Sequence, residues 1–206
     1  LGANKNIIWR YNISVGDGTR VVNVPRPEGG RSINPGRTIH VSDFAKPYRT
    51  KSEDVFIYNN TYLVTSESLP GIELKAKNLS VWNNLFLVQD DAFLAQNFNK
   101  RSNSSSDIFV KNNGFSGMIS DEFIALDKEP IFVNVDYEKI ISNPKTFAFK
   151  KEKVSTGNKS VKRNQPSFPS AGKGIFSHVS EYPRNDFFGT AIDYDVNILG
   201  AGFSSN

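Results

Sequence analysis

Cysteine is absent from all 206 residues, which rules out disulfides, thiolate-held metals and a cysteine nucleophile. It leaves the compartment open, because many exported bacterial proteins also lack cysteine. No apolar run approaches the ~18 residues that a membrane-spanning helix needs. No phosphate-binding loop, dinucleotide fingerprint or serine-nucleophile elbow occurs. Histidine is scarce, with only His40 and His178, so imidazole chemistry has few places to reside. Neither sign of charge dominates. The formal net charge of +4 is a mild bias toward acidic partners such as nucleic acid or an anionic polysaccharide.

What is present is a recurring phrase: an apolar run, an Asn pair, then an aromatic two positions on. It reads Val55-Phe56-Ile57-Tyr58-Asn59-Asn60-Thr61-Tyr62, then Leu79-Ser80-Val81-Trp82-Asn83-Asn84-Leu85-Phe86, then Ile108-Phe109-Val110-Lys111-Asn112-Asn113-Gly114-Phe115. A worn copy, Ile7-Ile8-Trp9-Arg10-Tyr11-Asn12-Ile13-Ser14, precedes them. The second Asn recurs at intervals of 48, 24 and 29 residues (Asn12, Asn60, Asn84, Asn113). Since 48 is twice 24, one unmarked repeat is expected between the first two copies. A period in the twenties suits one turn of a β-solenoid, in which short strands are joined by turns. The stacked asparagines read as structural: Asn tolerates left-handed backbone, and its amide can form a ladder satisfying buried turn groups. Tyr62, Phe86 and Phe115 read likewise as a core stack.

The pattern is interrupted. Residues 6–24 form one coil with a turn at Gly16-Asp17-Gly18. Across 25–53, prolines and glycines preclude long elements, and only Thr38–Val41 reads as a strand. This stretch is either a coil with an insertion or a loop over one face. Clean coils return over 54–117, with Gly71–Leu74 and Ala92–Leu94 as second strands. The expectation is β-helix coils over 1–128 with an inserted loop at 25–53, and an irregular capping region over 129–206. Six basic side chains against one acid at 150–165 read as a solvated loop; without a reading motif around them, nucleic acid is not expected as a partner.

The Asn-Asn-x-aromatic phrase, the segment Trp9–Ser14 followed by Gly16-Asp17-Gly18, and the closing blocks Glu129–Val133, Asp186-Phe187-Phe188-Gly189 and Asn197–Ala201 together resemble the right-handed parallel β-helix superfamily with the pectate-lyase-like fold. Two positions depart from its ending: Glu129 stands where an Asp is usual, and Asn197-Ile198-Leu199-Gly200 replaces an Asp-Ile-Gly. The resemblance implies an all-β, right-handed parallel β-helix with an irregular carboxy-terminal cap. It implies the carboxy-terminal part of a large exported bacterial carbohydrate-active protein (secreted, periplasmic or cell-surface) with an upstream part as partner. A polysaccharide, expected to be acidic, would be cleaved by hydrolysis or elimination. Because this superfamily hosts lyases, hydrolases and inert adhesins alike, a non-catalytic binding or adhesion β-helix, or a structural half of a larger enzyme, stands beside that reading.

Candidate site residues crowd into 17–53, where the repeat is abandoned. Loops between rigid coils are where such a scaffold builds a cleft. Arg20, Arg31, Arg37 and Arg49 are the candidate substrate-binding residues, since guanidinium groups clamp sugar carboxylates or sulfates. His40 and Tyr48 are the candidate proton-transfer groups, with Asp43 as a carboxylate for acid–base work. Hydrolysis would need two converging carboxyls, and Asp17, Glu53 and Asp54 are further sources. No cofactor is expected. The resemblance leaves calcium open, because many pectate-type lyases use it, although the acidic pairs Asp90-Asp91, Asp121-Glu122 and Asp193/Asp195 read by themselves as surface turns.

Overall fold

The computed structural model describes residues 5–19, 22–25, 31–34, 36–42, 51–65, 69–96, 98–100, 108–142, 168–175, 177, 183–192 and 199–202. These residues are mostly strands in parallel sheets, with few helices. The first sheet has the order β1 (Lys5–Arg10), β6 (Glu53–Tyr58), β9 (Lys77–Trp82), β12 (Ile108–Lys111). The second runs β2 (Ile13–Val15), β7 (Thr61–Val64), β10 (Leu85–Val88), β13 (Gly114–Ser116), β14 (Ile131–Phe132). The third is β5 (Arg37–Val41), β8 (Gly71–Leu74), β11 (Asn99–Lys100). An antiparallel pair, β3 (Val22–Pro25) with β4 (Arg31–Asn34), stands apart. Two short helices, α1 (Asp121–Ile124) and α2 (Tyr137–Ser142), follow the clean repeats. No described helix is long and apolar enough to cross a membrane.

Register holds the repeats in line. Ile57 pairs with Val81 and Val81 with Val110, so like residues of successive phrases stack. Alternating side chains then feed one continuous core, where Val55, Ile57, Tyr62, Ile72, Leu74, Phe86 and Phe115 meet. Each such burial contributes roughly 1.5–3 kcal/mol relative to exposure. Tyr62, Phe86 and Phe115 do stack, with ring centroids 5.0 and 5.6 Å apart and planes within 9°. Phe123 of α1, fully buried, meets Phe86 and Phe115 edge-on. The opposite faces of the first two sheets are covered as well. Phe168 and Ile192 lie on Phe56, Tyr58 and Trp82 of the first sheet, and Leu199 and Ile140 on Leu63, Leu85 and Leu87 of the second. The described carboxy-terminal segments therefore lie along the flanks of the sheets.

The Asn pairs divide their labour. The first member takes the left-handed corner, with φ of 52°, 52° and 59° at Asn59, Asn83 and Asn112. The second makes the ladder. Asn12 Nδ2 donates to Asn60 Oδ1, Asn60 Nδ2 to Asn84 Oδ1, and Asn84 Nδ2 to Asn113 Oδ1, at 2.9–3.0 Å. Each oxygen also accepts the backbone N–H of the preceding Asn. Asp127, buried beneath the last rung, ends the series by accepting from Asn113 Nδ2 at 2.7 Å. In the worn first copy Tyr11 fills the corner with φ 54°.

Three expectations are corrected. No unmarked repeat separates the first two copies: Lys5 pairs with Glu53 and Arg10 with Tyr58, a direct step of 48 residues. Within that step lies the β3–β4 hairpin, which the prolines tolerate because its strands are short and Pro25 ends one of them. Ala92–Leu94 is not a strand. Leu94 makes only an isolated bridge to Ile119, and β11 takes the place beside β8.

Glu53 sits between Lys5 and Lys77 at 2.8 and 2.9 Å. Their hydrogen bonds and charges hold its carboxyl down to about 2. Because the folded value is depressed, this contribution is present above the unfolded value and lost as pH falls toward about 2. Solvent screening keeps it small. Carboxyl NMR titration should find Glu53 titrating well below an ordinary glutamate, and Lys77→Ala should move it back up. An unshifted Glu53 would exclude the bridged geometry.

Candidate functional site

The third sheet brings two of the sequence-selected residues together. Ile39 and Val41 of β5, like Ile72 and Leu74 of β8, face the core. Two-residue alternation therefore turns His40 and its register partner Glu73 to the other face. Continued alternation would aim Arg37 inward, but the register shifts between Arg37 and Ile39, and such an irregularity re-aims a side chain. Arg37 Nε consequently lies 3.1 Å from Glu73 Oε2, and His40 Nε2 lies 3.5 Å from the same oxygen. Glu73 is buried while Arg37 and His40 are partly exposed. The carboxylate is thus an anchor, and the two cationic-type groups face outward.

Burial and the Arg37 charge lower the pKa of His40, against the opposing pull of Glu73. The imidazole is therefore neutral at neutral pH, the form that accepts a proton. Arg37 reaches Glu73 through Nε, and its side chain is about a third exposed. Chemically, the cluster joins a guanidinium suited to an oxyanion with a neutral imidazole, both fixed by one carboxylate.

Comparison of the chain with protein-family models, curated proteins and solved structures gives no significant match. The site must stand on its own geometry.

Most of the other selected residues fall outside the description. Arg20, Asp43, Tyr48 and Arg49 lie outside the described residues, as does the basic stretch 150–165. Arg31 starts β4, and its side chain is outside the description. Asp17 is engaged locally, accepting from Ser14 Oγ at 2.6 Å. Sequence alone does not single out Glu73, because it looks like one polar position inside a short apolar strand. The signal available was its placement opposite His40 once β5 and β8 were aligned.

A second feature lies at the ends of β10, β13 and β14: an open cleft of about 960 Å³ lined by Asp90, Asp91, Phe132, Asp136, Tyr137 and Glu138, among others. Phe132 is strongly exposed there. The Tyr137 hydroxyl donates to Ser116 Oγ at 2.8 Å, and burial raises its pKa. Clustered carboxylates repel a polyanion, so this cleft does not suit the acidic substrate expected from the resemblance. Among the described residues, no three His, Asp or Glu side chains are grouped to hold a metal ion.

Proposed function

We propose that the three parallel sheets are the faces of a right-handed parallel β-helix belonging to the carboxy-terminal part of an exported enzyme that cleaves an acidic polysaccharide. The strand order supports the solenoid: β6, β7 and β8, then β9, β10 and β11, each add one strand to the first, second and third sheet in turn. One observation carries the activity, the meeting of Arg37 and His40 at Glu73 on one sheet face.

In this reading Arg37 binds the uronate carboxylate and so acidifies the neighbouring C–H. His40 takes that proton, the electron pair forms the double bond to the adjacent carbon, and the bond from that carbon to the glycosidic oxygen breaks, the oxygen leaving protonated from solvent. Glu73 positions both groups. Elimination is favoured over hydrolysis here because hydrolysis uses two carboxyls across the bond, and Glu73 is already tied to Arg37.

The acidic cleft supports a second reading, hydrolysis of a neutral polysaccharide with Phe132 as a sugar platform. A degradation screen on uronate, sulfated and neutral polysaccharides separates the two. New reducing ends with the ultraviolet absorbance of an unsaturated uronate are expected; reducing ends without it would move the chemistry to the cleft. His40→Ala should lower kcat by about 10²–10⁴-fold. Arg37→Ala should both raise KM about tenfold and lower kcat, since Arg37 binds the carboxylate and acidifies the adjacent C–H. The acid limb of the pH–rate profile should lie below the ordinary histidine value of 6.5, since the neutral imidazole is the active form. No cleavage of any substrate, with retention in affinity electrophoresis, would leave a carbohydrate-binding or adhesion module. Failure of both would leave a structural half of a larger enzyme.

A further inference from the structure

The end of the sheets that carries β1 and β2 is built as though a further rung were to follow. β1 pairs only with β6, and β2 only with β7, so each leaves one edge without a strand among the described residues. The amide ladder has a direction, and at this end it is open. Asn60, Asn84 and Asn113 each accept through Oδ1 from the Asn before, whereas Asn12 donates its N–H and Nδ2 but its Oδ1 receives no hydrogen bond from the described residues.

The core is open at the same end. Trp9 stands in register with Ile57, Val81 and Val110. It is on the same side of β1 as Ile7, which packs on the core. Its three partners are 2%, 0% and 1% exposed, and Trp9 is 46% exposed. The charge ladder stops there too, with Lys5 paired on one side to Glu53 and mostly exposed.

We infer that this end is a docking site for an extended polypeptide segment that runs parallel to β1 and β2, with an acid opposite Lys5, an apolar residue over Trp9 and an Asn whose Nδ2 donates to Asn12 Oδ1. The occupant is specified by the fold itself. It has the pattern of Glu53–Val64, in which Glu53 meets Lys5, Ile57 meets Trp9 and Asn60 meets Asn12 one rung further on. Strand addition supplies main-chain hydrogen bonds, and the Asn, apolar and acidic positions supply register and specificity. The inference rests on the observed sheets and ladder and is independent of any catalytic activity.

The test uses the full chain and a synthetic peptide copying Glu53–Val64, with acrylamide quenching of tryptophan as readout. Trp82 is buried against Tyr58, so accessible emission reports Trp9. The peptide should protect Trp9 from quenching and shift its emission to the blue. Replacing the peptide's second Asn by Leu should weaken binding about tenfold. Trp9→Lys in the chain should remove binding while its circular dichroism spectrum is retained; Asn12→Ala, which leaves the apolar end intact, should weaken it. Two results overturn the inference. One is no protection of Trp9 at any attainable peptide concentration, or protection that ignores the peptide's Asn. The other is concentration-dependent association of the chain alone, abolished by Trp9→Lys, which would make the occupant a second copy.

Discussion

Asn84→Ala is expected to destabilise the protein by about 3–5 kcal/mol, far more than an ordinary polar truncation. Asn84 is fully buried and uses its whole amide. Its Oδ1 accepts from Asn60 N at 3.1 Å and Asn60 Nδ2 at 2.9 Å. Its Nδ2 donates to Ile57 O and Asn113 Oδ1, both at 3.0 Å. Truncation strands the Asn60 N–H, which is itself buried, and a stranded buried donor costs about 1–3 kcal/mol beyond the bond lost. Asn84→Asp should fare no better, because it turns an oxygen toward Ile57 O and Asn113 Oδ1. Asn12→Ala is the internal comparison. At the open end its side chain only donates, so about 1 kcal/mol is expected. The measurement is the midpoint of urea unfolding at unchanged slope. Equal costs at Asn12 and Asn84 would refute a ladder whose strength lies in its buried middle.

Asp127→Asn should cost about 2–4 kcal/mol although it changes one atom and removes a charge. Both carboxylate oxygens are occupied by donors. Oδ1 accepts from Asn112 N at 2.7 Å and Glu129 N at 2.9 Å, and Oδ2 from Asn113 N at 2.8 Å and Nδ2 at 2.7 Å. An amide must set an NH₂ against two N–H groups, whichever way it is turned. A carboxylate is the group that accepts on both sides, which is why the asparagine series closes on an aspartate. Asp121→Asn, on the exposed surface of α1, should fall within about 0.5 kcal/mol of the parent. Faster hydrogen exchange at the Asn112 and Asn113 amides in Asp127→Asn would locate the damage. Unchanged stability and exchange would show that Asp127 does not terminate the ladder.

Glu53 and Glu73 show why some residues were legible before others. Glu53 lies two residues before one repeated phrase and Lys77 two before the next, one 24-residue period away. The spacing that aligns the phrases therefore also aligns this pair, although sequence alone marks Glu53 only as a source of a carboxyl. Glu73 has no period to betray it. Its partners Arg37 and His40 sit 36 and 33 positions upstream, just after an inserted hairpin, and one of them reaches it only through a register irregularity. A local shift of one residue reverses the face of a strand side chain. Sequence that lacks the shift cannot choose the face.

The sequence by itself determined the strand–Asn–Asn–aromatic rung, the structural role of the asparagines and the aromatic stack. Those features are periodic, and a period fixes which like residues lie over one another. Tertiary structure decided what is not periodic. It placed the 48-residue step between adjacent rungs, split the corner and ladder roles between the two asparagines, and closed the ladder on Asp127. It laid the described carboxy-terminal segments along the sheet flanks, where Leu199 and Ile192 bury outward-facing apolar residues. It also joined Arg37, His40 and Glu73. Each of these depends on which chain-distant groups compete best for a buried surface or an unpaired polar atom, and that competition is resolved only when the whole chain is packed.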